Sequence, residues 1–172
     1  MSIAAEKDCT EIYRTGDNRI QLRFLALSVN EALARTMAAA FLSELNPTLE
    51  EIADVKTAVS EAVTNAVIHG YGMEEWDGPT QARRKSAWIH MECGLSDNVF
   101  EVSIEDKGCG IPDIKTAMQP LYTSRPELER SGMGFSFMEA FMDEVKVEST
   151  FGEGTMVQMK KKIGIVEQME EE

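Results

Sequence analysis

Residues 61–70 read EAVTNAVIHG. Glu61, Asn65 and His69 fall four residues apart. On an α-helix that spacing stacks three polar side chains within a stripe about 80° wide. Their neighbours Ala58, Val59, Ala62, Val63, Ala66, Val67 and Ile68 are apolar. A carboxylate and a carboxamide facing inward are costly unless partnered. Taken alone, the stripe is more simply an amphipathic helix turning its polar face to water. Two later stretches weigh against that. Asp106-Lys-Gly-Cys-Gly follows a strand-like run, and Gly132-Met-Gly134 opens a second helix. A carboxylate, a carboxamide and two glycine turns are together the parts of a magnesium-nucleotide site.

Composition bounds the reading. The chain has 172 residues, enough for one domain with a real core. A hydrophobic content of 43% and a charged content of 27% are ordinary for a globular chain. The net charge of −13 argues against nucleic acid, whose phosphates need a basic surface, and permits a basic protein partner. Part of that charge lies in an acidic tail, residues 164–172. Cys9, Cys93 and Cys109 are odd in number and lack metal-ligand spacing, which predicts reduced thiols in the cytoplasm. Cys109, between two turn glycines, reads as a small spacer in preference to a reactive thiol. No apolar run reaches the roughly 18 residues of a membrane span, and the N-terminus lacks a signal-peptide pattern.

Along the chain, residues 1–18 are polar and irregular, an extension before the domain at 19–163. Residues 19–26 alternate as a half-buried strand does. Ser28, with Glu31 three residues on, predicts a capping box and a helix to about Leu45. Ala32, Leu33, Met37, Ala40 and Phe41 share one face of it. Arg35 lies off that face, where an arginine is ordinarily just solvated. Asn46-Pro47 breaks the helix, and Thr48 with Glu51 predicts a second box. The helix that follows carries EAVTNAVIHG and ends at Gly70-Tyr71-Gly72. Residues 72–86 read as a loop. Residues 88–94 and 99–105 read as a hairpin, with Asp106 where its second strand stops. A short helix at 114–118, a mobile loop at 119–131, a helix at 134–142 and strands at 143–149 and 154–162 complete the chain. Hairpin-paired strands and grouped helices predict a two-layer α/β sandwich with a mainly antiparallel sheet.

The chemistry follows from donor types. Asn65 offers a carbonyl oxygen, a hard ligand suited to magnesium. Glu61, one turn earlier, is placed to take a proton from an attacking hydroxyl. Gly132 and Gly134 let backbone N–H groups at a helix start reach phosphate oxygens. Arg125 and Arg130 can neutralise γ-phosphate charge. Asp106 can accept a hydrogen bond from an exocyclic amine such as that of adenine. The GMG pattern is not a Walker motif, since GxxxxGK[ST] is absent.

Glu61-x-x-x-Asn65, Asp106-x-Gly108-x-Gly110 and Gly132-x-Gly134 resemble the N, G1 and G2 boxes of the GHKL ATPase superfamily. VSEAVTNAVIHGY, PELERSGMGF and FMDEV narrow the resemblance to the sporulation anti-sigma serine kinases of that superfamily, over about residues 19–160. The resemblance implies a Bergerat-type ATP-binding fold, a mixed and mainly antiparallel sheet with helices on one face. It implies ATP or ADP with Mg2+ as cofactors. By resemblance, Glu61 is the general base, Asn65 holds magnesium and Asp106 binds the adenine amino group. Gly108, Gly110, Gly132 and Gly134 shape the pocket and lid, Arg130 belongs with them, and Thr155 lies near the adenine. Arg35 then contacts a sigma factor, which reverses its reading as a solvated side chain, and Glu129 and Arg130 meet the kinase substrate. The implied function is to hold a sporulation sigma factor from RNA polymerase and to phosphorylate a serine of an anti-anti-sigma protein, as a homodimer. The alternative is a GHKL ATPase module that hydrolyses ATP for a conformational switch without protein kinase activity. The extension and the longer 72–86 loop depart from the family pattern; the box residues do not.

Overall fold

Strict alternation sets the sheet. In the third strand Phe100, Val102 and Ile104 are buried while the residues between them are half-exposed. The structure is a computed structural model that describes residues 18–72, 87–119 and 133–164. Within these, β1 is Asn18–Leu25, α1 Val29–Leu42, α2 Leu49–Asn65, β2 Trp88–Ser96, β3 Val99–Asp106, α3 Ile114–Ala117, α4 Gly134–Phe141, β4 Glu144–Thr150 and β5 Gly154–Lys162. The strands form one sheet in the order β1-β2-β3-β5-β4, antiparallel at every described pairing. The expected mainly antiparallel α/β sandwich is therefore present. The extension, the 73–86 loop, residues 120–132 (with Arg125, Glu129, Arg130 and Gly132) and most of the acidic tail lie outside the described residues.

One face of the sheet carries the core in rows. Leu22, Met91, Ile104, Val157 and Val147 are successive cross-strand partners, and Cys93, Val102, Met159 and Val145 form the next row. Burying each such side chain contributes roughly 1.5–3 kcal/mol relative to exposure. Helices α1 and α4 both pack on α2, whose Val55, Ala58, Val59, Ala62 and Val63 join the same core. The other face is polar and laced with ion pairs, among them Arg19–Glu92 at 2.8 Å and Lys160–Glu101. Among the described residues, no helix is long and apolar enough to cross a membrane.

The two expected capping boxes divide. Thr48 Oγ1 accepts from Glu51 N–H at 3.1 Å, and Glu51 Oε2 accepts from Thr48 N–H at 2.7 Å, so the second box is complete. The first is not formed. Ser28 is itself helical (φ −54°, ψ −32°), which denies its hydroxyl the extended geometry of a cap. Glu31 turns instead to the Ser60 hydroxyl and to Arg35 at 3.3 Å. The inner face of α1 is also rotated from expectation. Ala34, Ala38, Phe41 and Leu42 are buried, while Leu33 is 49% exposed and Ala32 and Ala40 face outward. Alanines lie on every side of α1, so periodicity alone does not choose its buried side.

Glu51 also fastens the end of β5, accepting from Gly164 N–H at 2.9 Å. Burial would raise its pKa, but the N–H groups of Thr48 and Gly164, the Thr48 hydroxyl and the Lys161 charge outweigh that and hold it below the usual carboxylate range. Glu51→Ala removes the cap and the fastening together. It should cost about 1–2 kcal/mol in urea denaturation at pH 7. Because the folded pKa is lowered, the deficit should shrink as pH falls through that pKa. A variant as stable as the parent at pH 7 would show the box to be idle.

Candidate functional site

The site begins where α2 stops being an α-helix. Glu61 and Asn65 are half-buried in its last α-helical turn. From Ala66 to Gly70 the chain continues as a π turn, closed by Tyr71 N–H donating to Ala66 O at 3.0 Å. The four-residue repeat therefore holds for Glu61 and Asn65 but not for His69, whose place on the stripe is corrected by the wider turn. Such single π turns recur at functional sites.

Gly134, the first residue of α4, lies over this pair. A Cβ added there would sit 3.1 Å from Glu61 Oε2 and 3.3 Å from both Asn65 Oδ1 and Nδ2. A carboxylate, a carboxamide and a helix start without a side-chain cap thus face one space. The leading N–H groups of a helix have no partners within it and favour anionic ligands.

The second half of the site is a carboxylate held in the core. Parity puts Asp106 on the buried face after Phe100, Val102 and Ile104, and it is 4% exposed. It is the buried charged residue among those described. Gly108 N–H donates to Oδ1 at 2.8 Å. The carboxylate lies directly on Gly70, where a Cβ would fall 2.7 Å from Oδ1. Gly108 in turn presses on the Gly70 carbonyl, where its own Cβ would come within 2.1 Å, and Cys109 N–H donates to that carbonyl at 2.8 Å. The π turn and the β3 exit are thus in backbone contact, possible only for glycine. Gly110 has φ +68° and packs against Thr150 O. Tyr71 closes the edge. Its hydroxyl donates to Trp88 O at 2.6 Å and accepts from Lys107 N–H at 2.8 Å.

Burial dominates the electrostatics. Desolvation raises the Asp106 pKa from 3.8 to about 6, against the N–H groups of Gly108 and Thr155, which favour the ionised form. Desolvation pushes the Cys93 thiol up to about 12, so it is a core residue and not a nucleophile. Cys109 is exposed, with Sγ donating to His69 O at 3.0 Å.

The structure thus joins Glu61, Asn65 and Gly134 at one end of α2, and Asp106, Gly108, Gly110 and Thr155 at the β3–β5 end, bridged by the π turn. Arg35 is apart from both, on α1, paired with Glu31. Sequence reading missed Gly70 and Tyr71 as parts of the site. A glycine after a helix signals an ordinary stop, and its contact with Asp106 is made only in the fold.

Residues 24–161 match the family model described as the histidine kinase-like ATPase domain. The chain is 52% identical to the anti-sigma F factor of Clostridium novyi (strain NT), over 87% of this chain and 98% of that one. It is 52% identical to the anti-sigma F factor of Thermoanaerobacter sp. (strain X514), over 86% and 95%. To that of Pasteuria penetrans it is 50% identical, over 85% and 91%.

A buried carboxyl with a raised pKa opposes folding once it is ionised. Its folded form holds the proton more tightly, so stability falls as pH rises from about 4 to about 6. Asp106→Asn removes that charge and replaces one carboxylate oxygen with an amide donor. The variant without ligand should be more stable than the parent at pH 7.5, by up to about 2 kcal/mol. The advantage should vanish by about pH 4. Parallel urea titrations at both pH values check this; a less stable variant at pH 7.5 would contradict the charged, desolvated carboxylate.

Proposed function

The chain belongs to the histidine kinase-like ATPase domain family, among the anti-sigma F factors, and from that premise we propose that it is an ATP-dependent serine kinase that also sequesters a sporulation sigma factor. The domain at 19–163 would carry both activities in the cytoplasm, as a homodimer, between the N-terminal extension and the acidic tail. The observation that carries the kinase reading is the convergence of Glu61, Asn65 and the α4 start at Gly134.

In this reading Asp106 accepts from the exocyclic amine of adenine, with Thr155 beside it and Gly108 and Gly110 shaping the wall. Gly132, Gly134 and Arg130 serve the phosphates. Asn65 would hold magnesium. The donor fits, because magnesium takes hard oxygens, one or two from protein and the rest from phosphate and water. Bound there, magnesium offsets charge on the phosphate oxygens. A serine oxygen of the anti-anti-sigma protein attacks the γ-phosphorus, the bond to the β,γ-bridging oxygen breaks, and ADP leaves. Glu61 takes the serine proton. Glu129 and Arg130 meet the protein substrate, and Arg35 meets sigma.

The roles separate in two variants. Glu61→Ala should lower phosphoryl transfer by about 10²–10⁴ while ATP affinity and sigma binding persist. Asn65→Ala should lose magnesium-dependent ATP binding and nucleotide-dependent sigma binding with it. Single-turnover phosphorylation beside a sigma pull-down reads both. Transfer at near-parental rate in Glu61→Ala would mean that positioning and magnesium suffice without a base.

Arg35 is 42% exposed at its side chain and pairs with Glu31 one turn earlier, a surface cation on a chain of net charge −13. Such a pair is worth little to stability. Arg35→Glu should therefore leave melting and ATP binding unchanged yet abolish sigma capture, since charge reversal at a desolvated contact costs several kcal/mol. Sigma retained at parental levels would remove Arg35 from the interface.

A further inference from the structure

The core rows of the sheet end in a rung that is polar on three adjacent strands. Below it lie Ile104, Val157 and Val147, each the cross-strand partner of the next. One step further along the same face, Asp106 pairs with Thr155 and Thr155 with Ser149. Thr155 and Ser149 are half-buried there.

The hydrogen bonds of Ser149 fix the direction of its neighbour. Its Oγ lies 2.7 Å from Ile111 N, which can only donate. It lies 2.9 Å from Gly154 O, which can only accept, and the one arrangement that makes all three Ser149 contacts hydrogen bonds at once gives the single Ser149 proton to that carbonyl. The third contact, Ser149 Oγ to Thr155 Oγ1 at 2.9 Å, must then be donated by Thr155. The Thr155 proton is spent on Ser149, and its lone pairs remain for whatever lies above the rung. Beside it, Asp106 when ionised is acceptor-only.

We propose that Ser149 is a positioning residue of the base pocket: it turns the Thr155 hydroxyl into a fixed acceptor, so that the rung selects a 6-aminopurine nucleotide over a 6-oxopurine one. This rests on the nucleotide reading above. An amino group donates to a rung of acceptors. A 6-oxo group sets an acceptor against acceptors unless the Thr155 hydroxyl rotates to donate, which breaks the hydrogen-bond arrangement around Ser149. A site built to pair a donor discriminates strongly against the analogue lacking it, because its own polar groups are then left unmatched.

The test is calorimetric titration with ADP and inosine diphosphate, which avoids turnover. The parent protein should prefer ADP by at least about tenfold. Ser149→Cys keeps the volume but offers a weak sulfur acceptor, and should lose about three- to tenfold of that preference. Ser149→Thr keeps the hydroxyl and should retain it. Loss in the first with retention in the second separates orientation from a merely structural part in the β4–β5 turn. A folded Ser149→Cys with the parental ratio overturns the assignment, as does a parent that binds both nucleotides equally. Should Ser149→Cys not fold, Thr155→Val deletes the oriented acceptor itself and must lower the ratio; an unchanged ratio again overturns it. A parent that binds neither nucleotide overturns the nucleotide reading as well, a result distinct from an unchanged ratio in a variant that binds ADP.

Discussion

A carboxylate packed against a glycine Cα organises this molecule. Asp106 is desolvated at the end of a core strand and rests on Gly70, at the end of the helix that carries Glu61 and Asn65. That contact fixes the π turn relative to the sheet. It costs stability, since desolvation of the charged form outweighs the backbone N–H groups of Gly108 and Thr155 and the Lys107 charge that favour it. Such costs are typical of sites kept ready for a ligand that supplies the missing donor.

The rest of the fold reads as support for that contact. The complete capping box at Thr48 and Glu51 starts α2 and, through Gly164, ties it to β5. Lys161, anchored by Asp54 at 3.1 Å, donates to Phe141 O at the end of α4 at 2.8 Å. A cation at a helix C-terminus is favoured by the macrodipole as well as by the hydrogen bond. The far end of that helix therefore holds Gly134 over Glu61 and Asn65. Sheet, α2 and α4 are thus fastened to each other at positions away from Glu61, Asn65 and Gly134.

How much was legible beforehand follows from how local each signal is. Asp106 was legible because it ends a strand and opens an Asp-x-Gly-x-Gly turn, and Thr48 with Glu51 because a capping box is complete within four residues. Glu61 and Asn65 were legible as a helical stripe; His69 was not, because nothing local announces a π turn. Ser28 and Glu31 have the letters of a box, but Ser28 is helical and Glu31 is drawn to Ser60, twenty-nine residues away. The inner face of α1 was misjudged for want of contrast among alanines. Gly70 and Ser149 escaped notice because their partners, Asp106 and Thr155, are set by strand order and packing and not by sequence neighbourhood.

The central claim is that Asp106, ionised, accepts from the base of an adenine nucleotide. Carbon-detected NMR of its carboxyl group through a pH titration tests that most directly. In the free protein the midpoint should lie near pH 6. With ADP bound, the amine favours the ionised form and the midpoint should fall. A midpoint that ADP leaves unmoved, or an Asp106 that titrates as an exposed carboxyl, would contradict the account.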